Sequence, residues 1–329
     1  MSKRRVVFMF SGQGSQYYQM GRAFFDGDPA FRSIMLQLND VAAPLLGRSI
    51  IDVLYNDGRR NDESFDEIQF TSAAIFIVEY ALARVLINTG VKPDCLLSSS
   101  MGIYAAAAIA AALDPHEALE CVIKLAAAYE ARCPKGGMIA ILDSSKLHSD
   151  LSVLRENSEI AAVNFDSHFV VSTIDEHLPE IFAALDRQSV AFQRIAVSYP
   201  FHSHWIDAAR DAALAILGEL HYSQPRIPLV CCTGNGVLKA VAPESIWTAL
   251  RRPIEFERTI AELEQGGPGE YIDVGPSSTL ATFLKYVLPS TSSSRLFSIM
   301  SPLGTDLKNY ARLTAERNLF GGAFSNATQ

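Results

Sequence analysis

Short apolar runs that end at Gly or Ser alternate along this chain with longer stretches whose apolar residues recur at helical spacing, the pattern of an α/β architecture. Val6-Val7-Phe8-Met9-Phe10 reads as a buried first strand that runs straight into Gly12-Gln13-Gly14. Residues 72–87 place Ile75, Val78, Leu82 and Leu86 on one helical face, with Ala and Phe between them, which predicts a core helix. Cys95-Leu96-Leu97 predicts a short buried strand after Lys92-Pro93-Asp94. The Ala-rich run from Tyr104 predicts a helix that Asp114-Pro115 interrupts, and 117–131 resumes the pattern.

The texture changes after Cys133-Pro134-Lys135-Gly136-Gly137. Residues 138–142, 160–163, 169–172 and 192–197 read as strands, with helices over 146–157 and 178–188. That βαββαβ order is the signature of a small split βαβ layer, so a small domain is expected at 134–199, inserted into a larger one made of 1–133 and 200–329. The larger unit continues with a helix over 205–220, a strand over 229–232, a helix around 253–264 and a strand over 271–274, and the polar tail from Gly321 reads as loose.

Composition narrows the function classes. A chain of 329 residues, 49% hydrophobic and 19% charged, fits a globular enzyme with a large core better than a single small domain. The net charge of -8 comes with no long run of one sign, and an acidic surface argues against general nucleic-acid binding. The first apolar run is too short for a signal peptide, and 105–113 falls well short of the roughly 18 apolar residues of a membrane span. The expectation is therefore a cytoplasmic monomer with no membrane contact. Five cysteines without a metal-type spacing read as reduced core thiols, and the scattered histidines make a metal site unexpected.

The segment Leu96-Leu97-Ser98-Ser99-Ser100-Met101-Gly102 has the layout strand, tight turn, helix. A serine on such a turn is pushed out at a helix N-terminus, where backbone N–H groups can stabilise a developing oxyanion. The turn wants small residues two before and two after the nucleophile. Gly102 meets the second demand and Ser98 stands at the first, so the register picks Ser100. A Ser-rich helix cap would look the same locally.

Phe10-Ser11-Gly12-Gln13-Gly14-Ser15-Gln16, with Met20-Gly21 behind it, resembles the opening of the malonyl-CoA:acyl carrier protein transacylase family, which includes polyketide synthase acyltransferases. Further blocks agree in order and spacing with that resemblance: 98–102, Tyr199-Pro200-Phe201-His202-Ser203, Asp273-Val274-Gly275-Pro276, Ala161-Ala162-Val163-Asn164 and Gly137-Met138-Ile139-Ala140. It covers the chain to about Ser301. It implies an α/β-hydrolase-like large domain with an inserted ferredoxin-like small domain and an acyl site between them. Carried over, Ser100 would be the nucleophile, His202 its general base, and Gln13 and Met101 the backbone N–H pair of an oxyanion hole. Asn164, Ser99, Leu125 and Phe201 would face the substrate, and 249–253 would supply the main-chain carbonyl that orients the histidine. No bound cofactor is implied: the substrate would arrive on the phosphopantetheine of an acyl carrier protein or of coenzyme A, with Arg251, Arg252 and Lys285 as docking candidates.

Two departures shape the expected substrate. Ser99 stands where the family has histidine, and the arginine that pairs with a malonyl carboxylate falls, by counting from Ser100 with Leu113-Asp114 as anchor, on Leu125. A carboxylate brought into an apolar site without its cation would cost several kcal/mol. The expected acyl group is therefore uncharged at its far end, with Lys124 and Arg132 as the nearby cations that a register error would bring in. Phe201 suggests an unbranched α-carbon. The leading expectation is an acyltransferase of polyketide or related biosynthesis, the alternative an acyl-carrier-protein hydrolase with the same Ser–His pair, and a third a docking module that has lost catalysis.

Overall fold

The structure is a computed structural model that describes residues 4–56, 58–234 and 236–321, with side chains described as far as 317. Two five-stranded sheets organise it. The first, in the order β10-β9-β1-β2-β7, is parallel throughout: Arg5–Phe10 (β1), Cys95–Ser98 (β2), Leu229–Cys231 (β7), Gly269–Asp273 (β9) and Arg295–Ser298 (β10). Its central strand β1 is buried from Val6 to Phe10, which is why that run carries no polar alternation. The second sheet, in the order β6-β3-β5-β4-β8, is antiparallel except at one edge: Gly136–Ile141 (β3), Glu159–Phe165 (β4), His168–Ile174 (β5), Phe192–Arg194 (β6) and Ile254–Glu255 (β8). Its own apolar layer joins Ile139, Ile141, Phe169 and Val171 to Leu178, Ile181 and Leu185 of the helix Leu178–Arg187.

The second sheet is not confined to 134–199. β8 pairs in parallel with β4, Ala162 opposite Ile254, so the chain returns to this sheet long after leaving it. Two expected elements are shorter than their patterns. The strand over 192–197 pairs only to Arg194, because the Val197 N–H turns back onto the Ile195 carbonyl at 2.8 Å and the chain bends away. The helix over 146–157 is two pieces, Lys146–Asp150 and Ser152–Asn157, broken where Leu151 takes an extended conformation. Residues 204–209 form a 3-10 turn before the helix Arg210–Gly218. Residues beyond 321, expected to be loose, lie outside the described ones.

One further expectation needs correcting. The helix Ile68–Asn88, at 21 residues, is long and apolar enough to cross a membrane by length and composition. The pattern over 72–87 already spans Glu79 and Arg84, and the structure adds residues 68–71 at its start and Asn88 at its end. Most of it is buried in the protein's own core, packed against the helices Pro29–Leu46 and Pro115–Arg132. All five cysteines are buried and free.

The helix Gly102–Ile109 starts directly at the end of β2, against the end of β1. A Cβ at Gly102 would lie 2.5 Å from the carbonyl oxygens of Phe10 and Ser11. Backbone cannot yield there as a flexible side chain would. Gly102→Ala is therefore expected to cost about 1–3 kcal/mol or more of stability, read as a lowered denaturant midpoint with an unchanged slope. A midpoint equal to wild type would show that the two turns are not so closely pressed.

Candidate active site

The turns after β1 and β2 leave the carboxyl ends of adjacent central strands, the place where open parallel sheets offer a crevice. Ser100 sits on the second turn with φ at +53°, and the end of the first turn lies over it. A Cβ at Gly12 would come 2.7 Å from the Ser100 Cβ, so only glycine permits the approach. Left-handed backbone at a non-glycine residue is costly and survives only where surroundings enforce it.

His202, facing Ser100, is also left-handed, with φ at +59°. Its Nε2 lies 2.8 Å from Ser100 Oγ, across 102 positions of sequence. Its Nδ1 lies 2.7 Å from the main-chain carbonyl oxygen of Arg252, and its own N–H donates to the Leu250 carbonyl at 3.2 Å. A carbonyl can only accept, so Nδ1 carries the hydrogen and Nε2 is left to accept the Ser100 hydroxyl proton. The expected carbonyl thus comes from within 249–253, at Arg252. The imidazole is buried, and that burial pushes its pKa down to about 4. The bond to Arg252 opposes the shift and the Arg251 charge adds to it. His204, two residues on, faces away and pairs with Glu159.

Two cavities meet at Ser100. The larger, about 350 Å³, opens between the sheets and takes Ser99, Asn164, His168, Gln193, Arg194 and Phe201 into its wall. Asn164 Nδ2 donates to His168 Nδ1 at 3.0 Å, and Arg194 reaches Asp175 at 3.1 Å. The smaller, about 30 Å³, is lined by Gln13, Met101, Leu125, Tyr129 and Phe201 among others. All eight residues singled out from the sequence therefore border one cavity or the other, and Phe201 borders both, set edge-on to Tyr129. Among the described residues lining the smaller cavity there is no cation. Lys124 is spent on Glu219 at 3.0 Å on an exposed face, and Arg132 is exposed on the same helix. Among the described residues, the main-chain N–H groups of Gln13 and Met101 take no partner.

Several charged residues around the site have structural partners. Arg251, expected as a docking residue, is held by Asp207 at 2.7 Å and lies 3.8 Å from Glu159, whereas Arg252 and Lys285 are exposed. Glu79 accepts from the Ser11 N–H at 2.8 Å and the Ser11 hydroxyl at 2.7 Å, fully buried, with its pKa raised by that burial. A lone acid inside an apolar helix was the signal for it. Asp273 accepts from the N–H groups of Gly275 and Ala281 at 2.8 and 2.7 Å, which ties down the start of the helix Thr279–Val287, and burial pushes it up to about 7.

The family model described as the acyl transferase domain matches residues 7–321. The polyketide biosynthesis acyltransferase homolog PksD of Bacillus subtilis (strain 168) is 40% identical over 92% of this chain and 94% of its own. BaeD of Bacillus velezensis, with the same description, is 40% identical over 90% and 92%. Among solved structures, the acyltransferase domain from module 8 of the salinomycin polyketide synthase has 26% identity and a TM-score of 0.84 over 95% of this chain and 74% of that one. A loading acyltransferase of the avermectin synthase, at 23% identity over 95% and 99%, shares the fold with a TM-score of 0.86.

A serine-directed fluorophosphonate is expected to label the wild type and not Ser100→Ala. A base works only when neutral, so labelling should hold down to about pH 5 and fall as the pH drops through about 4. An acid limb near the ordinary imidazole value of about 6.5 would mean that burial does not depress the imidazole in this way.

Proposed function

The chain belongs to the acyl transferase domain family and acts as an acyltransferase, and on that premise we propose that it moves an acyl group without a distal carboxylate from a thioester to an acyl carrier protein through an acyl-Ser100 intermediate, in polyketide or related biosynthesis. The observation that carries this reading is the relay from Ser100 Oγ through the His202 ring to the Arg252 carbonyl, with contacts of 2.8 and 2.7 Å.

In the first half-reaction Oγ attacks the thioester carbonyl carbon while Nε2 takes its proton, and a C–O bond forms. The carbonyl oxygen becomes an oxyanion that the Gln13 and Met101 N–H groups stabilise. The C–S bond then breaks, and the departing sulfur takes the proton back from the imidazolium, whose charge the Arg252 carbonyl offsets. The second half-reaction runs the same steps in reverse, with an acceptor thiol losing its proton to His202. The larger cavity suits the amide-bearing phosphopantetheine arm of a carrier protein or coenzyme A, with Asn164 within reach, and no bound cofactor is needed.

The apolar wall at Leu125 supports the exclusion of malonyl groups: a carboxylate buried there would go unpaired, at several kcal/mol. This reading takes 1–133 with 200–329 as an α/β-hydrolase-like unit and 134–199 as an inserted ferredoxin-like one. The parallel order of the first sheet and the order β6-β3-β5-β4 of the second support it.

Intact-mass measurement tests the proposal, using acetyl-, malonyl- and longer acyl-carrier proteins with wild type, Ser100→Ala and Leu125→Arg. Adducts are expected on wild type and not on Ser100→Ala, with malonyl at least about 100-fold slower than acetyl and partly restored in Leu125→Arg. The adduct should persist until an acceptor carrier protein is added. Rapid loss to water without an acceptor would make the chain an acyl hydrolase instead, and equal rates for malonyl and acetyl would end the missing-cation argument.

A further inference from the structure

The helix Ile68–Asn88 grips the turn after β1 at two places about two helical turns apart. At the first, the Gln13 amide is held at both ends: Nε2 donates to Ser72 Oγ at 2.7 Å, and Oε1 accepts from Thr71 Oγ1 at 3.1 Å. At the second, Glu79 holds Ser11 through its N–H and hydroxyl. Between them, Ser15 Oγ donates to the Gly12 carbonyl at 2.8 Å. Three consecutive residues are thus fixed, and the Gln13 N–H lies among them. Thr71 and Ser72 are both buried, so neither hydroxyl gains much from water instead.

We propose that Thr71 and Ser72 are positioning residues that aim the Gln13 main-chain N–H at the oxyanion by clamping the Gln13 side-chain amide. The inference rests on the preceding reading of that N–H as an oxyanion donor. A side chain pinned at its tip on one side, and a backbone pinned at Ser11 on the other, leave the intervening peptide little freedom to tilt. Tilt matters because a hydrogen bond weakens steeply as its angle departs from linearity. Thr71 also reaches its own helix at the Ile68 carbonyl, 3.3 Å away, an ordinary helical contact that by itself predicts no effect on rate.

Loss of a whole oxyanion donor costs about 10²–10³ in kcat, and a donor kept but loosened should cost less, about tenfold. Single-turnover acylation by acetyl-carrier protein is measured for Ser72→Ala, Thr71→Val and Ser72→Thr, each also in a Gln13→Leu background, which keeps the N–H and removes the amide. The expected result is a roughly tenfold fall in kcat for the first two with KM within about twofold, and recovery in Ser72→Thr. In the Gln13→Leu background the same substitutions should have no further effect, since the path they act through is gone. Thermal midpoints identify any variant that fails to fold, and whichever of Ser72→Ala and Thr71→Val folds then carries the comparison. Rates unchanged from wild type, or equal losses in both backgrounds, overturn this inference alone. A wild type with no Ser100-dependent adduct overturns the proposed function and this inference with it.

Discussion

The site depends on one steric constraint: the turns after β1 and β2 touch more closely than two side chains allow. Gly12 lies against Ser100, and Gly102 lies against the carbonyls of Phe10 and Ser11. Because neither position carries a Cβ, the serine can be lifted off the end of β2 in a left-handed conformation and still face the loop bearing Gln13. The left-handed turn at Ser100 rests on the ends of β1 and β2, whose residues are almost all buried, and His202 is itself buried. Such strain persists only where a rigid core outvotes it.

Burial sets the electrostatics as firmly as it sets the shape. The imidazole, Glu79 and Asp273 all sit out of water, and each is shifted toward its neutral form. A neutral Glu79 costs less to bury than a carboxylate and still accepts from Ser11. That shift lessens the negative field behind the serine while negative charge develops in front of it.

Much of this was legible in the residues, and the reasons differ from part to part. Ser100 could be chosen over Ser98 and Ser99 because a tight turn makes a local demand that Gly102 satisfies. The βαββαβ order from Gly136 to Arg194 could be read because short apolar runs there alternate with helical patterns. The two-residue strand β8 could not, since so short a segment has no period and is extended only because β4 recruits it. The clamp at Thr71 and Ser72 escaped for a related cause: its partner is 58 or 59 positions away, and hydroxyls early in a helix look like ordinary caps. The helix Ile68–Asn88 was legible over 72–87, but its first turn was not, because no capping side chain marks its start.

β8 does more than extend a sheet. It begins two residues after the carbonyl that orients His202, pairs with β4, and its Glu255 N–H donates to the Cys232 carbonyl at the end of β7. Within four residues the chain is fastened to the base, to one sheet and to the other. The segment is therefore a common axle. A tilt of one sheet against the other would bear on residues 252–255, and through the Arg252 carbonyl on the imidazole. An occupant that forced the cleft wider would pull on the base as it did so, which would tie fit in the cleft to readiness of the serine.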